Sequence, residues 1–559
     1  MKTAKNNTDI LIVGGGPVGL SLALFLDMYG VKSVLFNSDE VTRWHPKGNN
    51  HNQRTMEHYR RLGIADDLRK LGLPQDHPLD IAYFDRFSRH EIARFSVPSK
   101  GARLSMRAHS HADDQFVEPM SRINQMYVEE YLQRHARTRP NITMRFGWTV
   151  TGNVQSDNDV RVTAKNKAGE EETWSAHYLV GCDGSKSDIR RSLDIKYERE
   201  EALLNVFMGG RFVSIHMSIP DLYPKYMADR RAWMYLAVNK DTRAVLMSLN
   251  GADEFMMHKP VKDGEGLDEA QVINWVKTAI GADIPVRIVA HRPWSAGGYL
   301  VAERFQSGRI FLAGDAVHLF TPTGGFGMNT GVDDTANLSW KLAAMVQGWG
   351  GPRLLESYEL ERKPVAIKNT TFARHLGKAW QDIHVPPEFE DDTPAGDAAR
   401  AEAARSSFVL ENHFILPEEK DCLGIVWGAR YDASPVLARE NSPQPNEHHT
   451  YTPSSVPGGR APHFWLDETR ERGASLYDQL GLGFTLLRVS QDKPDCSALV
   501  AAAAKRRIPL KIIDASGDVA ATLYEKPLTL IRPDQHVAWR GDRLPEDIDE
   551  LLNTVTGVN

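Results

Sequence analysis

The amino-acid sequence predicts an α/β fold in three parts: a βαβ opening, a β-rich middle and a compact α/β module at the far end. Three patterns lead there. The apolar run Asp9-Ile-Leu-Ile-Val13 stops at Gly14-Gly15-Gly16, a helix-compatible stretch from Val18 to Tyr29 follows and ends at Gly30, and a second apolar run spans Val31 to Phe36. Strand, turn, helix and strand in that order make a βαβ unit. Residues 205–300 carry aromatic and β-branched clusters such as Trp233-Met-Tyr-Leu-Ala-Val, as strands do. Residues 460–559 alternate short strands with one Ala-rich helix, Cys496 to Arg507.

Between these parts the pattern predicts polar strands over 100–175 with one helix from Ser121 to Arg137, and a buried strand over 308–313. That strand runs into a Gly-rich loop and a long helix ending near Gly348. Residues 381–402, with Pro386, Pro387 and Pro394, read as soft, and the Pro/Ser/Asn/His stretch 441–458 reads as the better linker. The 559 residues are 41% hydrophobic, enough for several real cores. Sixty-seven basic against 73 acidic residues give net charge -6, which excludes a basic nucleic-acid footprint. Three distant cysteines form neither CxxC nor a metal pattern, so no metal is expected, and a reducing cytoplasmic setting fits them. The apolar stretch Ile10 to Leu26 is broken by glycines and Pro17, so it is read as neither a targeting peptide nor a membrane span.

The first chemical motif is Gly14-Gly15-Gly16-Pro17-Val18-Gly19, a G-x-G-x-x-G between strand and helix. Its glycines permit a tight turn and close approach to a pyrophosphate, and the helix start offers free N–H groups to the phosphates. This makes the opening Rossmann-like. The acidic residue expected at the end of the second strand is replaced by Asn37, which carries no charge but can still hydrogen-bond a ribose hydroxyl, with Asp39 or Glu40 as possible substitutes. A second motif is Tyr178-Leu-Val-Gly-Cys-Asp183-Gly184. A third is Gly308-Arg-Ile-Phe-Leu-Ala-Gly314-Asp315-Ala-Val-His318, followed by Pro322-Thr-Gly-Gly325-Phe-Gly327-Met328-Asn329.

These elements in this order resemble the group A flavoprotein monooxygenases, the para-hydroxybenzoate hydroxylase family, with the phenol, 2,4-dichlorophenol and polyketide aromatic hydroxylases most similar. Asn52-Gln-Arg54-Thr-Met-Glu57, Leu355-Glu-Ser-Tyr358 through Pro364, and Leu530-Ile-Arg-Pro-Asp534 through Arg540 extend the match along nearly the whole chain. The resemblance implies a discontinuous FAD-binding domain (1–80, 100–200 and 300–380), a β-rich substrate domain (80–100 and 200–300), a connecting region (381–458) and a thioredoxin-like domain (459–559). It implies that Gly14, Gly16, Pro17, Val18 and Gly19 hold the FAD pyrophosphate, with Lys47 near it. Gln125 would contact the flavin linker, Asp183 would serve FAD and the pyridine nucleotide, and Asp315 would bind the ribityl hydroxyls. The backbone around Gly325, Gly327, Met328 and Asn329 would meet the flavin pyrimidine edge, where a helix dipole stabilises negative charge.

The implied reaction uses NADPH or NADH to reduce FAD, then O2 to form a flavin C4a-hydroperoxide that hydroxylates a phenolic or fused-ring aromatic. Baeyer-Villiger insertion or epoxidation on the same scaffold is the alternative. A phenolate accepts oxygen better than a phenol, and moving a proton from a phenol (pKa ~10) to a histidine (~6.5) is uphill by about 5 kcal/mol. A base near the flavin and a positive local field are therefore expected. His45 and His51 are the candidates, with His318 orienting its loop. Pro322 would lie beside flavin and substrate, and Trp233, Tyr235 and Met247 would line the substrate roof. The C-terminal domain has Lys493-Pro-Asp-Cys496 where a redox thioredoxin has two cysteines, so it is read as structural or dimer-supporting.

Overall fold

The computed structural model describes residues 6–41, 44–198, 211–262, 265–295, 300–321, 323–378, 385–405, 422–440, 442, 444–490 and 492–559. Its central sheet has the order Gln306–Ser307, Ile310–Leu312, Tyr178–Gly181, Ile10–Val13, Ser33–Asn37 and Ile142–Phe146. The last five are parallel. Their continuous apolar runs fit strands covered on both faces. Ile10–Val13 pairs with Ser33–Asn37 on one side and with Tyr178–Gly181 on the other. The chain therefore reverses its order across the sheet here, and ligands of open α/β sheets bind beyond the carboxyl ends of strands at such a point. Helix Pro17–Met28 is almost wholly buried and packs against helix Phe326–Gln347.

A seven-stranded sheet stands beside it, in the order Arg287–Ser295, Arg211–Ser218, Glu254–Pro260, Arg243–Ser248, Met234–Val238, Ile81–Phe84 and Glu91–Phe95. Alternation divides its side chains sharply. Val213, Ile215, Tyr235, Leu246 and Met257 pack on helix Glu269–Ile280. Leu236, Val245, Met247 and Met256 face the other way, toward Leu73 and Met126.

The C-terminal sheet runs Leu510–Ala515, Phe484–Val489, Leu528–Ile531 and Val537–Gly541, its first pair parallel and the others antiparallel. Among the described residues four helices accompany it, Leu476–Gln479, Ser497–Lys505, Asp518–Tyr524 and Ile548–Thr556, three more than the sequence pattern shows. This module shares a core with the rest of the chain, since Trp340 of helix Phe326–Gln347 meets Phe484 edge-on at 6.0 Å. A buried ionic knot adds to the joint: Arg532 donates to both carboxylate oxygens of Glu361 at 2.7 and 2.8 Å, and Lys341 Nζ donates to one of them at 2.7 Å.

Two expectations shift. The helix placed at 121–137 starts at Gln125, because Ser121–Arg122 pairs with Asn50–His51 and the Asn124 side chain caps the Met126 amide. The stretch 381–402 is not merely a linker: helix Pro394–Ala404 begins in it, with Thr393 capping Gly396 and Pro394 in the first turn, where a proline starts a helix rather than breaking it. Among its described residues, 441–458 contains no helix or strand.

Candidate active site

The turn after Ile10–Val13 is held by its neighbours. Gly14 N donates to Phe36 O at 2.8 Å and Cys182 N to Val13 O at 2.7 Å. Gly14 has φ +113°, and a Cβ there would lie 2.2 Å from Cys182 O, so only glycine fits. Helix Pro17–Met28 starts with no side-chain cap, leaving the amides of Gly16, Val18 and Gly19 without intrahelical acceptors. Gly15, Gly16, Pro17 and Val18 open on a cavity of about 270 Å³, while Gly19 packs against Gly14. Asn37 locks the turn: its Oδ1 accepts from Gly15 N at 3.0 Å and its Nδ2 donates to Asp39 O at 3.0 Å. The amide that the sequence offered for a ribose thus has a structural task, while Asp39 lines the cavity.

Lys47, Gln125, Asp315 and Met328 reach the same cavity from four other parts of the chain. So does Glu129, to which the sequence reading gave no role. It pairs with Lys47 Nζ at 3.4 Å and accepts from Gln125 Nε2. The signal was present, since residues four apart share a helix face. Asp183 does not line the cavity, although Cys182 and Gly184 do. Its carboxylate accepts from Ser187 Oγ and from Ile189 N at 3.1 Å, at the start of helix Asp188–Ser192, and burial raises its pKa. The Asp183 carboxylate thus ties the Cys182–Gly184 turn to helix Asp188–Ser192.

Asp315 is open to the cavity but otherwise enclosed by protein. That enclosure pushes its carboxyl up, and His318 and Lys47 pull it part of the way back. The turn carrying it is clamped by Asp334, which the sequence did not signal. Asp334 accepts from Gly314 N at 3.2 Å, pairs with His318 Nε2 at 2.7 Å and accepts from Arg362 Nε at 2.8 Å. His318 accordingly orients the loop.

The following turn uses Gly325 at φ +65°, where a Cβ would sit 2.8 Å from Asn50 Cβ. The long helix starts at Phe326 and again has no side-chain cap. The amides of Phe326, Gly327 and Met328 therefore lack intrahelical acceptors. The Asn329 side chain turns elsewhere: Nδ2 donates to Asn50 O at 2.9 Å and to Gly325 O at 2.6 Å, and Oδ1 accepts from Asn52 N at 3.0 Å. It fastens the 50–52 strip to the helix start.

The histidines separate clearly. His51 is fully buried, its Nε2 3.1 Å from Ile123 O and its ring beside Tyr59; burial pushes it down to about 4. It is a wall residue. His45 is buried with its Nδ1 unpartnered, and burial followed by Arg292, His216 and Lys47 pushes it down to about 4. The positive field that favours a phenolate thus disfavours the imidazolium. Proton transfer from a phenol to His45 would be uphill by ~6 units, or about 8 kcal/mol.

Tyr235 is a correction. It faces the far side of the sheet, where its hydroxyl accepts from Ala232 N at 2.6 Å and donates to Tyr223. Met247 lies on the near side, its Sδ accepting from Asn49 Nδ2 at 3.3 Å. Trp233 shares that side, under the Arg122 guanidinium at 3.8 Å. Pro322 lies outside the described residues.

Uncapped amides at two helix starts, a turn only glycine can make, and the carboxylates Asp39 and Asp315 form a donor and acceptor set that fits a flavin dinucleotide. Comparison with known proteins agrees. The profile of the FAD binding domain family matches residues 7–373, and that of the aromatic-ring hydroxylase C-terminal domain matches 454–558. The FAD-dependent monooxygenase apdD of Emericella nidulans is 31% identical, covering 99% of this chain and 90% of its own. Phenol 2-monooxygenase of a Pseudomonas species is 28% identical, covering 98% and 91%. Among solved structures, the rebeccamycin biosynthetic enzyme RebC with reduced flavin superposes with TM-score 0.87 at 32% identity over 100% of both chains.

Proposed function

Because this chain belongs to the FAD-binding family of aromatic-ring hydroxylases, we propose that it is a monooxygenase that uses NADPH or NADH and O2 to hydroxylate a phenolic or fused-ring aromatic. The observation that carries this reading is convergence: the uncapped amides of Gly16 and Val18, the Asp315 carboxylate and Met328 open on one cavity. FAD, once bound, reduced and reacted with O2, would supply electrophilic oxygen. The protein's own part is to hold and exclude. Gly16, Val18 and Gly19 offer amides to the pyrophosphate, and Asp315 accepts from the ribityl hydroxyls. Phe326, Gly327 and Met328 point a helix N-terminus at the pyrimidine edge, where negative charge collects. Trp233 and Met247 serve as the apolar roof, and Pro322 as a neighbour of the ring.

Residues 459–559 fit a thioredoxin-like domain of structural or dimer-supporting role, in a homodimer. Burial pushes the Cys496 thiol up, the reverse of what a redox thiol needs. The test is a panel of phenols scored by NADPH oxidation, peroxide release and product mass. The expected product gains one oxygen and keeps its ring. A lactone or epoxide would move the reaction to the alternative class, and a protein that cannot be reconstituted with FAD would refute the reading. Asp315→Ala should lose most bound FAD, read as the 450 nm absorbance of the purified protein.

A further inference from the structure

Chemistry calls for a proton acceptor beside the aromatic guest, and the sheet facing the 44–52 strip carries a better-built one than the strip does. Strands Glu254–Pro260 and Arg287–Ser295 flank Arg211–Ser218, and the register sets Ser214 across from His258 on one side and Arg292 on the other. Ser214, His216 and His258 alternate with Val213, Ile215 and Met257 of the far core, so all three share the near face. His216 is fully buried, and its Nε2 lies 2.7 Å from Glu254 Oε1. The second oxygen of Glu254 accepts from the Tyr127 hydroxyl at 2.8 Å.

The His216 hydrogen bond, supported by that of Tyr127, holds the Glu254 carboxyl below its ordinary range, so it is an anion that only accepts. His216 must then carry its proton on Nε2 and present a bare lone pair at Nδ1. That atom is buried and unpartnered, as are Ser214 Oγ, His258 Nδ1 and His45 Nδ1. Leaving a buried polar atom unpaired costs ~1–3 kcal/mol, so a group of four on one surface implies a polar guest. Position agrees. Tyr127 follows Gln125 by two residues and His45 precedes Lys47 by two, and both Gln125 and Lys47 line the cofactor cavity.

We propose, on the reading that this is an aromatic hydroxylase, that His216 takes the hydroxyl proton of the substrate. The substrate O–H bond breaks, an N–H bond forms at His216 Nδ1, and the electron pair left on oxygen makes a phenolate beside the new imidazolium and Arg292. Glu254 and Tyr127 are positioning residues: the carboxylate fixes the tautomer and stabilises the imidazolium, as a carboxylate does behind a catalytic histidine. His45, His258 and Arg292 face His216 from the strip and the flanking strands, with Glu254 behind it. Neither His45 nor His258 has a carboxylate partner among the described residues, and burial pushes both down to about 4.

The test uses the FAD-loaded protein and 4-nitrophenol, whose ionisation is visible in difference spectra. Wild-type protein should bind the probe and lower the pH at which it ionises by about one unit, a tenfold stabilisation of the phenolate. His216→Gln should abolish that shift at unchanged flavin content. Glu254→Gln, at a partly exposed carboxylate, should reduce it and serves as the check if His216→Gln folds poorly. No probe binding at millimolar concentration, no shift in wild type, a shift that survives His216→Gln, or one undiminished in Glu254→Gln overturns the proposal. A preparation that takes up no FAD speaks instead against the flavoenzyme assignment.

Discussion

The cofactor cradle and the near face of the seven-stranded sheet are two ways of building a binding surface. The cradle is mostly backbone, and the side chains nearest it are tied down: Asn37 holds Gly15, Asn329 holds Asn50 and Asn52, and Asp334 holds Gly314. The sheet face is side chain, and several of its polar atoms are tied to nothing. A ligand shared by a whole family can be met by a fixed backbone. A guest that differs between relatives is met by replaceable side chains on a fixed sheet.

The contrast can be broken most forcefully at Gly14. Gly14→Val drives a Cβ into Cys182 O from a left-handed backbone, and should give misfolded, colourless protein. Gly16→Ala sharpens the point, since no atom lies within 4 Å of a Cβ there. It should fold with stability within ~1 kcal/mol of wild type yet bind FAD less tightly, read by flavin titration of the apoprotein. Next is Asp334→Ala, which leaves buried His318 without its carboxylate and Arg362 with Asp333 alone, and should cost ~3–5 kcal/mol in urea unfolding. The Asp334 carboxyl is held below its ordinary range by His318 and Arg362 against the cost of burial. Its contribution is therefore complete above the unfolded pKa of ~3.9 and is lost as pH falls through the folded value. Tyr235→Phe should cost ~1–2 kcal/mol through the unpaired Ala232 amide and leave coupling of NADPH oxidation to product unchanged, whereas Met247→Ala should change coupling. Smallest is Asp183→Asn, which weakens a turn by ~1 kcal/mol and should leave the flavin spectrum intact.

What was legible in the sequence follows the same division. Glycine positions and the strand-turn-helix order are local demands of backbone geometry, so Gly14, Gly16, Asp315 and Met328 could be found from spacing and resemblance. Tyr235 could not be placed, because a one-residue change of parity moves a side chain to the other face of a sheet and the sequence does not show which face is covered. His216 and Glu254 are 38 residues apart in the chain and meet only through strand pairing. Asp334 and His318 face each other only once a turn and a helix have closed. The missed C-terminal helices, Leu476–Gln479, Asp518–Tyr524 and Ile548–Thr556, are short enough for turn residues to mask their period.

The strip from residue 44 to 52 is a party wall. Asn50 and Asn52 are bolted to the helix start at Asn329, and Asn49 touches Met247 on the sheet. On the proposed function, neither side can be remodelled alone: a substitution made to admit a bulkier guest at the sheet should also shift the flavin's reduction potential.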